Sequence, residues 1–361
     1  MSAPRLTEPW QLGPLTVPNR VLLAPLAGIG NWFVRLQAKR YGAGMAVSEM
    51  VSTHAIHHGN ARTCTEMLRI DPRERDPLAD GEGRAVAGAP GGPVSVQLFG
   101  EDPAVMRSAT RSVLMLGAEA IDINMGCPVP KVRKTGAGAQ LLADPDRAVL
   151  LARAAVAGAE EAAAERGGEP APVTVKLRSG LRAGEQSGFE LAHRLVAEAG
   201  VAAIGFHPRS AAVHHKGVPD YELARALASS LPAPVILTGG MSDAAHIRAV
   251  FAETGVAAVM LARGALGNPW LFEELIGSRE RPPLRTEVLD ELDWTIDRAV
   301  EHLGEQRATR YLRKFYPWYV TRLGLSAPEA KELQQSLQRA ETLSEARSAL
   351  APLQAPAALA A

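Results

Sequence analysis

Cysteine is nearly missing from this chain of 361 residues: there are two, Cys64 and Cys127. Two thiols make no disulfide framework and suit a reducing compartment. Net charge is missing too, with 39 Lys+Arg against 39 Asp+Glu. Charge as a whole therefore gives no sign of a nucleic-acid partner, and any basic surface must be local. No apolar run approaches the ~18 residues a membrane span needs, and the first residues lack a basic region followed by an apolar core. The expectation is a cytoplasmic, non-membrane protein. No Gly-x-Gly-x-x-Gly follows the first candidate strand, which argues against a doubly wound dinucleotide fold. His54, His57 and His58 are read as a loop cluster, with no acidic or cysteine partners at metal spacing, so no metal is assigned.

What is present is ordinary for a globular protein, at 47% hydrophobic and 22% charged residues. Short apolar runs recur at Val21–Ala24, Gly44–Ser48, Val94–Gln97, Ala120–Ile123, Val173–Lys176, Ala202–Phe206, Val235–Leu237 and Ala257–Leu261. Helical patterns lie between them, at Pro103–Leu116, Pro145–Arg166, Gly188–Ala199, Tyr221–Ser229 and Ala244–Thr254. Eight strands alternating with helices predict a (β/α)8 TIM barrel. The predicted barrel spans 1–280, with a helical domain over 286–351 and a disordered tail over 352–361. Helical spacing in that second domain covers Leu289 to Leu303, Arg307–Leu323 and Ala327–Ala349. Asp80–Gly92, rich in Gly, Ala and Pro, reads as a surface insertion without chemistry.

In a barrel, function gathers where the strands end. Polar or glycine-rich residues fall there: Pro25-Leu26-Ala27-Gly28, Ser48-Glu49-Met50, Gln97, Asn124 with Cys127, Lys176 with Arg178, and His207 with Arg209. Thr238-Gly239-Gly240 and Ala262-Arg263-Gly264 follow the last two strands, where many barrels bind phosphate. Lys176 needs an anionic partner, either Asp122 or Glu49 within the protein or the N1–C2=O edge of a flavin. Gln97 is either a satisfied core amide or a donor to the flavin pyrimidine edge. Cys127, between Asn124 and the cations Lys131, Arg133 and Lys134, is either a small buried hydrophobe or a reactive thiol. Arg307, Arg310, Arg313, Lys314 and Arg322 interleave with Tyr311, Phe315, Tyr316, Trp318 and Tyr319. That mixture fits either RNA contact or a helix with core aromatics and a solvated face.

These blocks together resemble the tRNA-dihydrouridine synthases, an FMN-dependent TIM-barrel family with a helical C-terminal domain. The resemblance runs from about Val21 to Leu323. It rests on Pro25-Leu26-Ala27-Gly28, Val47-Ser48-Glu49-Met50, Val96-Gln97-Leu98, Asn124-Met125-Gly126-Cys127-Pro128, Val175-Lys176-Leu177-Arg178 and His207-Pro208-Arg209-Ser210. Arg313-Lys314 and Trp318-Tyr319 resemble the basic-aromatic patch of the family's tail. Thr238-Gly239-Gly240 departs from the Asn-Gly-Asp of many relatives, keeping the backbone N–H groups but not the side chains.

The resemblance implies reduction of a uracil C5=C6 bond in tRNA. FMN is re-reduced by NADPH or NADH, with NADPH the expected donor, and Cys127 gives a proton to C5. An ordinary thiol is largely protonated at neutral pH, which suits a general acid. The implied flavin contacts are Pro25, Leu26, Ala27, Gly28, Gln97, Lys176, His207, Thr238, Gly239, Gly240, Ala262 and Arg263. The implied substrate contacts are Asn124, Arg178, Lys131, Lys134, Arg313 and Lys314. The expected form is a monomer with no obligate protein partner. Two other readings share parts of this pattern: an FMN-dependent reductase of a free pyrimidine, and a non-catalytic RNA-binding protein.

Overall fold

The computed structural model describes residues 4–76 and 91–354. The chain divides into two compact units, Met1–Gly264 with Leu271–Ser278, and Ala265–Trp270 with Arg279–Ala361.

The first unit opens with an antiparallel hairpin, β1 (Trp10–Leu12) and β2 (Leu15–Val17). Then follow β3 (Val21–Leu23), β4 (Met45–Val47), β5 (Val51–Ser52), β6 (Val94–Phe99), β7 (Ala120–Met125), β8 (Val173–Arg178), β9 (Ala203–His207), β10 (Val235–Thr238) and β11 (Ala258–Leu261). All pair in parallel. The ring closes because β11 pairs with β3 and β4 pairs with β6, while β5 extends the upper part of β6. This is the eight-stranded barrel expected from the alternation of strands and helices.

Side chains alternate across each strand, so every second residue faces the barrel interior. The interior has two layers of different chemistry. The lower one is apolar: Leu22, Met45, Ala203, Ile236 and Ala258 pack with Trp10, Leu12 and Val17, so the hairpin plugs the bottom. Burying each large aliphatic side chain there stabilises the fold by about 1.5–3 kcal/mol. The upper layer is polar, with Gln97, Asp122, Asn124, Lys176, Arg178, His207 and Thr238 at the same strand parity. The parity that places Ile121 and Ile123 toward the outer helices thus places Asp122 and Asn124 inside.

The outer helices start at strong caps. Asp102, Asp144, Asp220 and Asp243 each accept backbone N–H bonds at the starts of helices Pro103–Met115, Pro145–Arg166, Tyr221–Ser230 and Ala244–Thr254. Left-handed Gly200 and Gly255 end helices Ser187–Ala199 and Ala244–Thr254. One barrel helix, Trp32–Arg40, is invisible to hydrophobic periodicity because its charged residues are buried. Arg35 pairs with Glu74 at 2.7 Å, and Lys39 donates to Glu74 O at 2.8 Å and to Gly92 O. The histidine cluster is also not a loop: His54 and His57 lie on a short helix, Thr53–His57, and His54 meets Glu101 at 3.2 Å. Apart from Gly91 and Gly92, the Asp80–Gly92 segment lies outside the described residues.

The second unit contains helices Arg285–Leu303, Glu305–Leu312, Tyr316–Val320, Ala327–Arg339 and Leu343–Leu350. Two of the expected long helices are therefore each broken in two. Pro317 has no N–H to continue the first, and it opens a new helix instead. Thr342 accepts from Glu345 N and caps a new start after Ala340. Ala351–Leu353 forms a 3-10 turn where a disordered tail was expected to begin; residues 355–361 lie outside the described part.

Candidate active site

Cys127 follows β7 on a loop whose backbone is held from several sides. Asn124 Oδ1 accepts from Cys127 N at 2.9 Å and from Gly126 N at 3.2 Å. Arg178 Nε donates to Gly126 O at 2.9 Å, and Ala139 N donates to Cys127 O at 3.0 Å. Gly138, at φ +63°, lies against the loop: a Cβ there would sit 2.9 Å from Cys127 O. The loop is thus fixed while the thiol itself stays partly exposed. Cys64 is exposed on the surface.

Beneath the loop lies a buried amide and carboxylate network. Asn124 Nδ2 donates to Gln97 Oε1 at 2.8 Å, and Gln97 Nε2 donates to Asp122 Oδ2 at 2.6 Å. Asp122 Oδ1 accepts from Thr174 Oγ1 at 2.6 Å. Burial pushes the Asp122 carboxyl up, while these donors and the charge of Lys176 pull it down. Gln97 and Asn124 therefore bond first to the protein, Asn124 also touching Met50 Sδ at 3.6 Å.

Next to that network is a concentration of positive charge. Lys176 sits beside Asn124 in register, and Gly205 opposite leaves room for its stem. Among the described residues its ammonium has neither hydrogen-bond nor ion-pair partner. Burial, reinforced by the charge of Arg178, pushes Lys176 down to about 8. Arg178 donates to Gly126 O, Ser210 O at 3.1 Å and His214 O at 2.7 Å, so its guanidinium braces two loops. His207 is held far below the usual histidine range, by burial and then by the charges of Lys176, Arg178 and Arg209. It is a neutral imidazole whose Nε2 accepts from Arg209 Nη1 at 3.3 Å, since arginine only donates.

The seventh and eighth strand ends close this side. Gly239, at φ +105°, packs so tightly that a Cβ would fall 2.6 Å from His207 Nε2. Thr238 Oγ1 donates to Met260 O at 3.1 Å, so this hydroxyl braces the barrel wall. Tyr221 OH donates to Gly239 O at 3.1 Å and meets His246 Nε2 at 3.0 Å, fixing the glycine turn. Arg263 is exposed beside it. After β3, the neighbour of β11, Gly28 N donates to Glu49 Oε2 at 2.9 Å, and the Pro25–Gly28 turn is closed by Ile29 N and Gly30 N on Leu26 O. The arrangement offers a cationic, glycine-lined pocket for an anion and a held thiol next to it.

The matching family model is that of the dihydrouridine synthases, and it spans residues 22–359. The chain belongs to the dihydrouridine synthase family. A relative from Pseudomonas aeruginosa, tRNA-dihydrouridine synthase B, is 33% identical over 340 residues, 91% of each chain. One from Rhodobacter capsulatus, a probable tRNA-dihydrouridine synthase, is 34% identical and covers 95% of this chain and 98% of its own. Among solved structures, morphinone reductase shares the fold, with a TM-score of 0.51 at 20% identity over 78% of this chain and 92% of that one.

In this dihydrouridine synthase the barrel brings together most of the residues singled out in the sequence: Pro25 to Gly28, Gln97, Asn124, Cys127, Lys176, Arg178, His207, Gly239, Gly240, Ala262 and Arg263 all sit at strand ends or on the loops after them. Lys131 and Lys134 are exposed on and just after the short helix Pro130–Arg133 behind the thiol. Arg313 and Lys314 belong to the other unit. There Arg313 donates to Ala340 O at 3.0 Å, and Lys314 lies 4.9 Å from the Tyr311 ring. Phe315, Tyr316 and Tyr319 are at most 3% exposed, so of the two readings of this stretch the core one holds for these three. Asp122 and Thr174 were missed as parts of the site. Asp122 entered only as a possible partner of Lys176, and strand parity with Asn124 was the signal that places it inside.

Proposed function

We propose that this chain reduces the C5=C6 bond of uridines in tRNA to 5,6-dihydrouridine, with FMN as cofactor and NADPH as reductant. The observation that carries the reading is Cys127 on a rigidly held loop next to the unpartnered ammonium of Lys176, in a chain of this family. The relatives named for action on tRNA align over nearly their whole length, which supports tRNA as the substrate.

The residues fit FMN. A half-buried lysine without a partner in the described residues calls for an anion, and the N1–C2=O edge of a flavin provides one. Gly239 and Gly240 form a turn with no room for a Cβ, and Arg209 and Arg263 supply charge for a phosphate. Pro25 to Gly28, Gln97, His207, Thr238 and Ala262 would line the rest. When bound, FMN supplies the hydride that reaches C6 of the uracil.

The chain's own part is to hold the base and move a proton. Cys127 Sγ–H gives its proton to C5, and the bonds from Asn124, Arg178 and Ala139 keep that sulfur in place. Asn124 clasps the loop, and a uracil edge would replace its weak contact with Met50 Sδ. Arg178 acts on the base through the loops it braces. Lys131 and Lys134 face RNA phosphate, as do Arg310 and Lys314 on the helical unit. The target uridine has to leave its stack to reach the thiol.

The test compares substrates. Purified yellow protein with NADPH should form dihydrouridine in unmodified tRNA and leave free uracil untouched. Turnover of free uracil with none on tRNA would overturn the reading in favour of a small-molecule reductase.

A further inference from the structure

Asp122 lies on β7 two residues before Asn124 and is 3% exposed. It starts a continuous chain of hydrogen bonds to the catalytic loop. Thr174 Oγ1 and Gln97 Nε2 both donate to its carboxylate at 2.6 Å. Gln97 Oε1 accepts from Asn124 Nδ2, and Asn124 Oδ1 accepts from the backbone N–H groups of Gly126 and Cys127.

The direction of this chain is fixed at both ends. A backbone N–H can only donate, so Asn124 must turn its oxygen toward the loop. Its nitrogen then faces Gln97, which must offer oxygen there and nitrogen at its other side. Asp122 Oδ2 takes that last N–H, at 2.6 Å. Two freely flippable amides are thereby locked in one orientation. Two short bonds of 2.6 Å anchor the carboxyl end, and linked bonds polarise one another.

We infer that Asp122 is a positioning residue for Cys127, acting through Gln97 and Asn124 to set the place of the proton donor. This rests on the reading of Cys127 as that donor. A carboxylate that merely supported the barrel would not need two amides in series aimed at one loop. Loss of its acceptor frees Gln97 to rotate, and the clasp on Cys127 loosens. A displacement of about 1 Å at a reacting group can cost on the order of a hundredfold in rate.

The test uses the holoenzyme and separates the two halves of the reaction. Asp122→Leu keeps the branched shape, with bulkier methyl groups, but removes both acceptors. Asp122→Asn keeps an acceptor for Gln97 and can donate to Thr174 Oγ1, whose proton turns to Ile121 O, 3.3 Å away. In Asp122→Leu, single-turnover dihydrouridine formation by the reduced enzyme should slow about 30- to 100-fold. With FMN added to saturation, flavin reduction by NADPH and tRNA affinity should stay within threefold. Asp122→Asn should recover to within about fivefold of wild type. In a Cys64→Ser background, iodoacetamide should label Cys127 at a rate at least threefold different in the Leu variant.

Single-turnover rates within twofold of wild type in the Leu variant would overturn the proposal. So would equal loss in both half-reactions, or an Asn variant no better than Leu. If Asp122→Leu does not fold, Thr174→Val removes one donor to the carboxylate and should slow the same step threefold or more; no change there would overturn it. Cys127→Ala run alongside separates the two ideas: if that variant keeps full activity, the donor assignment fails rather than the relay.

Discussion

At Lys176, burial and the nearby Arg178 oppose the positive charge, while Asp122 and Cys127 favour it. The balance puts its ordinary value near 10.5 down to about 8 before any anion arrives. An anion bound against the ammonium raises it again, so binding favours the protonated form. Flavin affinity should therefore be flat below pH 8 and fall as pH rises through about 8 and above. A flavin titration at pH 6.5 to 9.5 measures this, and Lys176→Met should bind more weakly and without the slope. That Lys176 needs an anionic partner was readable in the sequence, since a lysine in an apolar strand demands one. The commitment of Asn124, Gln97 and Arg178 to the protein was not, because it depends on which side chains stand in register across β6, β7 and β8.

At the scale of elements, the loops after the last two strands are built from backbone rather than side chains. Gly239 has φ +105° and lies against His207, so its lack of a Cβ serves both conformation and space. Gly239→Ala carries about 1–3 kcal/mol of backbone strain and pushes His207 out of place. It should lower flavin affinity more than tenfold, seen as loss of the bound yellow chromophore on gel filtration. Strand and helix positions were legible from the alternation of short apolar runs with helical patterns, such as Pro103–Leu116 and Pro145–Arg166. The helix Trp32–Arg40 was not, since the pairing of Arg35 with Glu74 hides polar residues in a core where a hydrophobic pattern would otherwise stand. The split of Arg307–Leu323 was signalled by Pro317, which the surrounding helical spacing masked.

For the whole molecule, a neutral net charge is divided between local features. The barrel unit carries the thiol, the cationic pocket and exposed Lys131 and Lys134. The helical unit buries Phe315, Tyr316 and Tyr319 in its own core and presents Arg310 and Lys314 outward. Under the proposed function, Arg310 and Lys314 meet RNA phosphate. Replacing Arg310 and Lys314 together by Glu should raise the KM for tRNA about tenfold, leave kcat within twofold and flatten the salt dependence of binding. The most direct test of the central claim is the yield of dihydrouridine in unmodified tRNA after incubation with NADPH and either wild-type or Cys127→Ala holoenzyme, read by mass spectrometry. We expect dihydrouridine with wild type and a loss of at least a hundredfold in rate with Cys127→Ala, flavin and tRNA binding being retained. An undiminished rate in Cys127→Ala would contradict the account.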